Sequence, residues 1–169
     1  IWTTVGSDGV LSPWKRSVPF PGEPLSFTAT CSSEKHLFIM GGTGQNQVLD
    51  QLLIADISED GTPGNWRTGN KLPVPLWFHG SALLDNRIYL WGGLPTQKSD
   101  TVNTSIFSAP VGERGEIGAW RRERMAMPTG MYSSAFCGFN DYLICVAGRV
   151  KDALPVNVIW FTRLAAGEP

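Results

Sequence analysis

The amino-acid sequence predicts an all-β protein built from three copies of one unit. The clearest sign is a hairpin pattern at positions 76–93, LWFHGSALLDNRIYLWGG, in which a polar Asp/Asn turn joins two short apolar runs and glycines end the second. The pattern occurs earlier as SFTATCSSEKHLFIMGG and later as YSSAFCGFNDYLICVAG. No stretch shows the 3.6-residue period of an amphipathic helix over three turns.

Two independent landmarks repeat on nearly the same period. Glycine pairs lie 51 and 55 residues apart, at Gly41-Gly42, Gly92-Gly93 and, in variant form, Ala147-Gly148. A glycine also lies five positions before each of three tryptophans, Trp14, Trp66 and Trp120, which are 52 and 54 residues apart. Self-similarity at about fifty residues is typical of solenoids and propellers.

The composition is typical of a folded protein, because apolar residues make up 42% and charged residues 17% of the 169 positions. The net charge of −1 gives no electrostatic basis for binding nucleic acid or an anionic membrane surface. No apolar run reaches the roughly 18 residues needed to span a bilayer. No leader precedes Ile1, which begins in a strand-like stretch, so we expect the chain to be a processed or excised piece.

Each unit is predicted to contain four strands. The first strands are 27–31, 80–84 and 134–137, the second strands 37–40, 88–91 and 143–146, and the third strands 51–57, 105–111 and 158–164. A fourth strand follows each spaced tryptophan. Positions 1–5 resemble a further third strand. The landmarks therefore divide the chain into the last two strands of a preceding unit at 1–24, units at 25–74 and 75–129, and an incomplete unit at 130–169.

The spaced glycine and tryptophan have a structural interpretation. In Asp60-Gly61 and its counterparts, glycine supplies the positive φ of a tight turn between the third and fourth strands. We expect the tryptophan ring to cover a glycine pair, where the missing Cβ allows close approach. Burial of such a ring contributes roughly 4–6 kcal/mol before entropy is subtracted. The alternative is an exposed aromatic platform for a sugar.

Three cysteines, an odd number, cannot all pair within the chain. With Asn140-Asp141 as a hairpin turn, Cys137 faces Ile144 while Cys145 lies opposite Phe136. The two thiols then point to different faces of the sheet, which disfavours a disulfide between them. Cys31, Ala82 and Cys137 share one repeat position, so we expect the cysteines to be small buried residues.

These landmarks resemble those of the kelch repeat, whose hydrophobic strand ends in a double glycine and is followed by a spaced tryptophan. The turn DGTPGNW at 60–66 is similar to those of bacterial secreted or surface kelch blades. This chain departs from the pattern at Ala147, at Arg114 in place of the aspartate, and at Ser12 in place of a glycine. The resemblance implies a β-propeller of four-stranded antiparallel blades with the first strand innermost, and an extracellular, cell-surface or periplasmic location.

The number of blades is a separate prediction. About three blades fall within this chain, and propellers close with about four to eight. We therefore expect the chain to be part of a six- or seven-bladed ring. The alternative is that two or more chains combine to complete one ring, with strand exchange between them.

The connections between the second and third strands are expected on the propeller face that usually presents ligands. These connections, at 43–50, 94–104 and 149–157, are long, polar and unlike one another, which is typical of a partner-specific surface; the equal alternative is that the loops are merely solvated. Ser26, Trp77 and Tyr132 are expected at equivalent positions on that face. The candidate ligand-binding residues are Trp77, His79, Tyr132, Arg149 and Asp152. Packing at a blade junction is the alternative for the aromatic residues, and a solvated or ion-paired state is the alternative for Arg149.

The sequence predicts no catalytic group, metal site or cofactor. Its two histidines, His36 and His79, belong to no metal-binding spacing, and no nucleophile elbow or phosphate-binding glycine loop is present. The His, Tyr and Cys grouping of a kelch-type copper radical oxidase is also missing. Asp50, Asp100 and Asp152 leave paired carboxylates for glycoside chemistry as an alternative.

We therefore expect a non-enzymatic module that binds a protein or a glycan through the upper-face loops, with no nucleic-acid partner and no membrane span. One alternative is part of a kelch-type carbohydrate-active enzyme, such as a sugar oxidase or a sialic-acid epimerase. A second alternative is an architectural subunit of a larger assembly.

Overall fold

The computed structural model describes residue 1, residues 3–98 and residues 100–164 of the chain. Positions 165–169, which complete the predicted last unit, lie outside the described residues. The described residues form three antiparallel sheets and one 3₁₀ turn, Lys151–Ala153, so the predicted all-β fold is confirmed. None of the helical structure described is long and apolar enough to cross a bilayer.

The three sheets follow one another along the chain, and within each the strands are paired in sequence order. The first sheet contains β1 (Ala29–Ser32), β2 (His36–Met40), β3 (Leu52–Ile57) and β4 (Pro63–Thr68). The second contains β5 (Trp77–Leu84), β6 (Arg87–Leu94), β7 (Ser105–Pro110) and β8 (Arg121–Ala126). The third contains β9 (Ala135–Phe139), β10 (Tyr142–Arg149) and β11 (Pro155–Arg163).

The residues where the chain enters the first strand of each sheet repeat the same backbone pattern. Antiparallel pairs join Ser26 to Thr43, Trp77 to Leu94 and Tyr132 to Arg149. The residue that follows the first member of each pair has a positive φ, of 57° at Phe27, 53° at Phe78 and 49° at Ser133. The predicted equivalence of Ser26, Trp77 and Tyr132 is therefore confirmed.

The turn between the third and fourth strands also repeats, and it does so three times. Its glycine has a φ of 79° at Gly9, 82° at Gly61 and 75° at Gly115, as the turn chemistry predicts. Asp8 and Asp60 each accept a hydrogen bond of 3.0 Å from the backbone N–H two residues ahead. In the third copy, where arginine replaces the aspartate, Glu116 accepts instead from the backbone N–H of Arg114 at 3.0 Å.

The segment before the first sheet contains this turn but not the two strands expected there. Among residues 3–24, Val5 and Leu11 form an isolated antiparallel bridge around the turn, and no strand is present. The segment is attached to the first sheet by the hydroxyl of Ser17, which donates to the Pro63 carbonyl at 2.6 Å. The Phe20 ring also lies 6.0 Å from the Trp66 ring.

The glycine pairs share a positive φ, but the residues that cover them are not the predicted tryptophans. The φ is 58° at Gly41, 68° at Gly92 and 51° at Ala147, so the alanine keeps the glycine conformation. A Cβ built on Gly92 would lie 2.5 Å from the Met131 carbonyl oxygen and 2.8 Å from the Phe136 ring. Residues that lead into the following sheet, Met131 and Phe136, therefore cover the pair at Gly92. The prediction that an indole covers it is wrong.

The spaced tryptophans instead occupy the junctions between consecutive units. Trp120 packs against the apolar cluster between the first and second sheets, and Trp66 packs toward Phe20 of the preceding segment. Trp14 is 63% exposed, because none of the described residues forms a sheet on that side of it.

Two apolar clusters hold the three sheets face to face. The cluster between the first and second sheets is centred on Phe38, Ile54, Ile88 and Leu90, all almost fully buried. The cluster between the second and third sheets contains Trp91, Ile106, Met131, Leu143 and Cys145. Burial of this apolar area is the main force that stacks the sheets.

The register of the third sheet is as predicted, but cysteine burial is not. Cys137 pairs with Ile144, and Cys145 pairs with Phe136. Cys145 is buried and Cys31 half-buried, whereas Cys137 is exposed. The burial prediction is wrong for Cys137 because no sheet among the described residues packs on its side of the third sheet. Burial raises the pKa of the Cys31 thiol to about 12, so that thiol stays protonated.

Candidate ligand-binding groove

A groove of about 500 Å³ opens on the upper face, defined as the side that carries the connections between second and third strands. One wall comes from the first connection, with Asn46 and Gln47, and the other from the second, with Thr96, Gln97 and Thr101. The described lining is therefore rich in amide and hydroxyl groups, which both donate and accept hydrogen bonds. Lys98 and Asp100 add one charge of each sign at the second wall.

The first wall is a small hairpin held in a fixed position. Thr43 and Val48 form an antiparallel bridge, and the Leu49 N–H donates to the Gly42 carbonyl at 2.9 Å. At the tip, the Gln45 N–H donates to the Glu23 carboxylate at 3.0 Å. These contacts orient Asn46 and Gln47 before any ligand binds.

The second wall is held from both ends. The Asn103 backbone N–H donates to the Gly93 carbonyl at 2.9 Å, and its side-chain amide donates to the Gly92 carbonyl at 3.0 Å. Nearer the groove, the Trp77 indole N–H donates to the Thr96 carbonyl at 2.8 Å. Trp77 thus joins the wall of the groove to the inner end of the second sheet.

Trp77 belongs to an aromatic cluster at the mouth of the sheets, made of Phe27, Trp77, Phe78 and Tyr132. Ring centroids are 4.0 Å apart for Phe27 and Phe78, 4.6 Å for Trp77 and Phe78, and 6.2 Å for Phe78 and Tyr132. Phe27 is 52% exposed and Trp77 half-buried, so this end of the cluster presents ring surface to solvent. Tyr132 is 5% exposed and serves as packing at the sheet junction.

His79, another predicted ligand-binding residue, is buried in the same junction. Its exposed fraction is 5%, and its ring lies against Gly41 of the first sheet. Neither ring nitrogen has a hydrogen-bond partner. Burial alone lowers the pKa of His79 to about 3, so the imidazole is neutral at ordinary pH. His79 does not face the groove.

Arg149 ends β10 and Asp152 lies in the 3₁₀ turn of the third connection, away from the groove, whose described lining comes from the other two connections. Both residues are exposed. The Arg149 guanidinium donates to the Ala153 carbonyl at 3.0 Å, and the Val150 N–H donates to the Leu154 carbonyl at 3.0 Å. This connection is therefore closed on itself. Of the five predicted residues, the structure brings Trp77 alone to the edge of the groove.

The loop carboxylates do not form a cluster. Asp50 accepts from the Lys71 ammonium group at 3.1 Å through both carboxylate oxygens, while Asp100 and Asp152 lie in different connections. Within the described part of the chain, no group of three or more His, Cys, Asp or Glu side chains has an arrangement that could hold a metal ion.

Sequence reasoning missed Phe27 and Phe78 and the amide side chains of the groove. Phe27 and Phe78 follow Ser26 and Trp77 at the repeat position of Ser133, so the alignment of the units could have indicated them. Asn46 and Gln97 stand in loops with no common pattern, and no signal in the sequence indicates that the two loops face each other.

Comparison with known proteins bears on the fold. No protein-family model matches the chain, and no curated protein matches it. Among solved structures, the chain is similar to YjhT, with a TM-score of 0.71 and 12% sequence identity over 96% of this chain and 48% of the YjhT chain. The chain adopts a β-propeller-like fold. It spans about half the length of YjhT.

Proposed function

We propose that this protein is a kelch-type propeller module that binds a glycan in the upper-face groove between its first two connections. The observation that supports this most is the lining, because five of its nine described residues carry amide or hydroxyl side chains and the two charges have opposite signs, with Val48 and Pro95 completing it. Sugars present many hydroxyl groups that such side chains can bind, and a neutral lining gives no preference for a strongly charged partner.

Two further features support a glycan. The walls are held by backbone bridges and by the Trp77–Thr96 hydrogen bond, so little ordering is needed when a ligand binds. The half-buried Trp77 ring is hydrogen-bonded to the second wall and lies 5.6 Å from the exposed Phe27 ring, so an apolar sugar face can pack on these rings. A protein partner, the other class predicted from the sequence, would need a larger complementary surface.

A glycan array followed by calorimetry tests this proposal. Gln47→Ala and Gln97→Ala should each weaken binding of the selected glycan roughly 5- to 30-fold, because each removes one or two hydrogen bonds to the ligand. Asn157→Ala is the matched control, since this exposed amide lies near the start of β11 and is not among the described lining of the groove. Unchanged affinity in both groove variants would exclude the groove as the binding site.

The enzymatic alternative remains a separate proposal. A sugar-turnover assay with the candidate glycans would distinguish a carbohydrate-active enzyme from a binding module, because only the enzyme changes the ligand. The location outside the cytoplasm is likewise a proposal that rests on the resemblance to secreted kelch blades.

A further inference from the structure

His79 lies beneath the groove, where its two walls are attached to the sheets. The side chain is 5% exposed, and its ring faces the first sheet, since a Cβ built on Gly41 would lie 2.9 Å from the His79 Cε1 atom. A Cβ built on Gly93 would lie 2.5 Å from the His79 Cβ atom. The residue is therefore packed between the glycine pairs of the first and second sheets.

The first wall is attached at the glycine pair that the His79 ring contacts. The Leu49 N–H closes the base of this wall by donating to the Gly42 carbonyl at 2.9 Å. The Gly42 N–H donates to the Leu76 carbonyl at 2.8 Å, which joins the base to the segment just before β5. A displacement of the His79 ring would therefore move Gly41 and, with it, the base of the first wall.

The second wall is attached at the other glycine pair. The Asn103 backbone N–H donates to the Gly93 carbonyl at 2.9 Å, and the Asn103 side-chain amide donates to the Gly92 carbonyl at 3.0 Å. Gly92 is also the residue that pairs with His79 across β5 and β6. The bases of both walls thus contact one buried side chain, so a change in that side chain acts on both walls at once.

The surroundings of His79 contain no group that would stabilise a charged imidazole. Neither ring nitrogen has a hydrogen-bond partner among the described residues, and burial alone lowers the pKa of His79 to about 3. The titratable and charged residues of β1, β2, β6, the first connection and the segment before β5 are Cys31, His36, Arg87, Tyr89, Asp50 and Lys71. None of these described groups offsets the burial of His79. Asp50 is ion-paired with Lys71 at 3.1 Å, and burial raises the pKa of the Cys31 thiol to about 12, which keeps it neutral.

Protonation of His79 therefore requires that the ring reaches water. An imidazolium without a partner is strongly disfavoured between the two glycine pairs, because its charge would be neither hydrated nor compensated. The upper face is the nearer source of water, since His79 is the third of the eight residues of β5, which starts on that side. Movement of the ring toward that face displaces the glycine pairs and the walls attached to them.

We propose that His79 is a positioning residue of the groove: the neutral ring keeps the bases of the two walls at their spacing, and protonation of the ring separates them. This inference rests on the proposed function, because it assigns a regulation to the same groove. Acid separates the two walls that a glycan needs to contact together.

Hydrogen exchange measured by NMR on the ligand-free chain tests the proposal. The Leu49 and Asn103 amides report on the bases of the two walls. The Leu90 amide reports on unfolding, because Leu90 is fully buried in a strand paired on both sides. His79 binds a proton near pH 6.5 in water and near pH 3 when buried, so the protection factors of both wall amides should fall roughly 30-fold from pH 7.5 to pH 5. At both pH values they should stay below the protection factor of the Leu90 amide.

Two variants distinguish a positioning role from a purely structural one. His79→Leu and His79→Gln cannot be protonated at this position, so the protection factors of the wall amides should be the same at pH 7.5 and pH 5 in both. A purely structural role would change these protection factors equally at every pH. Phe38→Leu is the matched control, because it changes a fully buried side chain of the same sheet junction without removing an ionisable group, and it should keep the wild-type fall.

Each other outcome overturns the proposal. Wall amides that are equally protected at both pH values in the wild type would show that protonation of His79 does not open the groove. Wall amides that are as protected as the Leu90 amide would show that the proton acts through unfolding alone. A fall that persists in both His79 variants would assign the effect to another group.

The glycan array, carried out at pH 7.5, tests the proposed function separately. A glycan that binds there, together with wall amides that do not respond to pH, would keep the binding site and overturn the role of His79. The expected response of the wall amides without any glycan that binds would overturn the proposed function and support the opening of the groove by acid.

Discussion

Replacement of His79 by leucine should remove most of the acid sensitivity of this protein between neutral pH and about pH 5. His79 is 5% exposed, and both of its ring nitrogens lack a partner. Protonation in the folded state would place an uncompensated charge between the first and second sheets, and burial lowers the pKa of His79 from 6.5 to about 3. Leucine has a similar volume and carries no ionisable group.

The sign and size of this change in stability with pH follow from proton linkage. The unfolded chain binds a proton at His79 near pH 6.5, whereas the folded chain does not. The neutral His79 therefore contributes its full stabilisation of the folded state above pH 6.5, and this contribution is lost as pH falls toward 3. The slope approaches about 1.4 kcal/mol per pH unit, which gives a loss of about 2 kcal/mol between roughly pH 7.5 and pH 5. Carboxylates contribute little in this window, because ordinary Asp and Glu titrate near pH 4 and the pKa values of Glu123 and Asp141 are lowered further.

Urea denaturation at a series of pH values measures this effect. The wild type should lose about 2 kcal/mol across the window, whereas His79→Leu should be nearly flat. Phe38→Leu is the matched control: it changes a fully buried side chain of the same sheet junction without removing an ionisable group, so this variant should keep the wild-type slope. An unchanged slope in His79→Leu, or titration of the His79 ring above pH 5 by NMR, would refute the reasoning.

Two further predictions concern the core, and denaturant unfolding measures both. Gly92→Ala should cost about 2–4 kcal/mol, because Gly92 has a φ of 68° and a Cβ there would lie 2.8 Å from the Phe136 ring. Gly64→Ala is its control, since the site is open, and should change stability by less than about 0.5 kcal/mol. Leu90→Ala should cost about 2–5 kcal/mol because Leu90 is fully buried, whereas Leu154→Ala, at a side chain 60% exposed, should be near neutral. Equal effects within either pair would contradict the assigned packing.

The glycine pairs show where local and tertiary information separate. The positive φ of Gly41 and Gly92 follows from local backbone requirements that a glycine in the sequence indicates. What covers the glycine could not be predicted, because the covering residues, such as Phe136, lie in the next unit. The prediction that a tryptophan ring covers the glycine pair was wrong for this reason.

The candidate site shows the same division. Alignment of the units placed Trp77 and Tyr132 at equivalent positions, which the pairings confirm. Their exposure nevertheless differs, because Tyr132 is 5% exposed and Trp77 is half-buried beside the groove. The packing of neighbouring sheets sets this difference, and the repeat pattern contains no information about it.

By itself, the sequence determined the strands of the three sheets, the turns, the register of the third sheet and the repeat that unites them, but the two strands expected in the first 24 residues are not present among residues 3–24. These features depend on alternation along a strand and on the conformational freedom of a few residues, which are local properties. The tertiary structure alone decided that Cys137 is exposed while Cys31 is half-buried, and that two unlike loops form the walls of one groove. Those outcomes depend on which sheet packs on which face, and that packing joins residues about fifty positions apart in the chain.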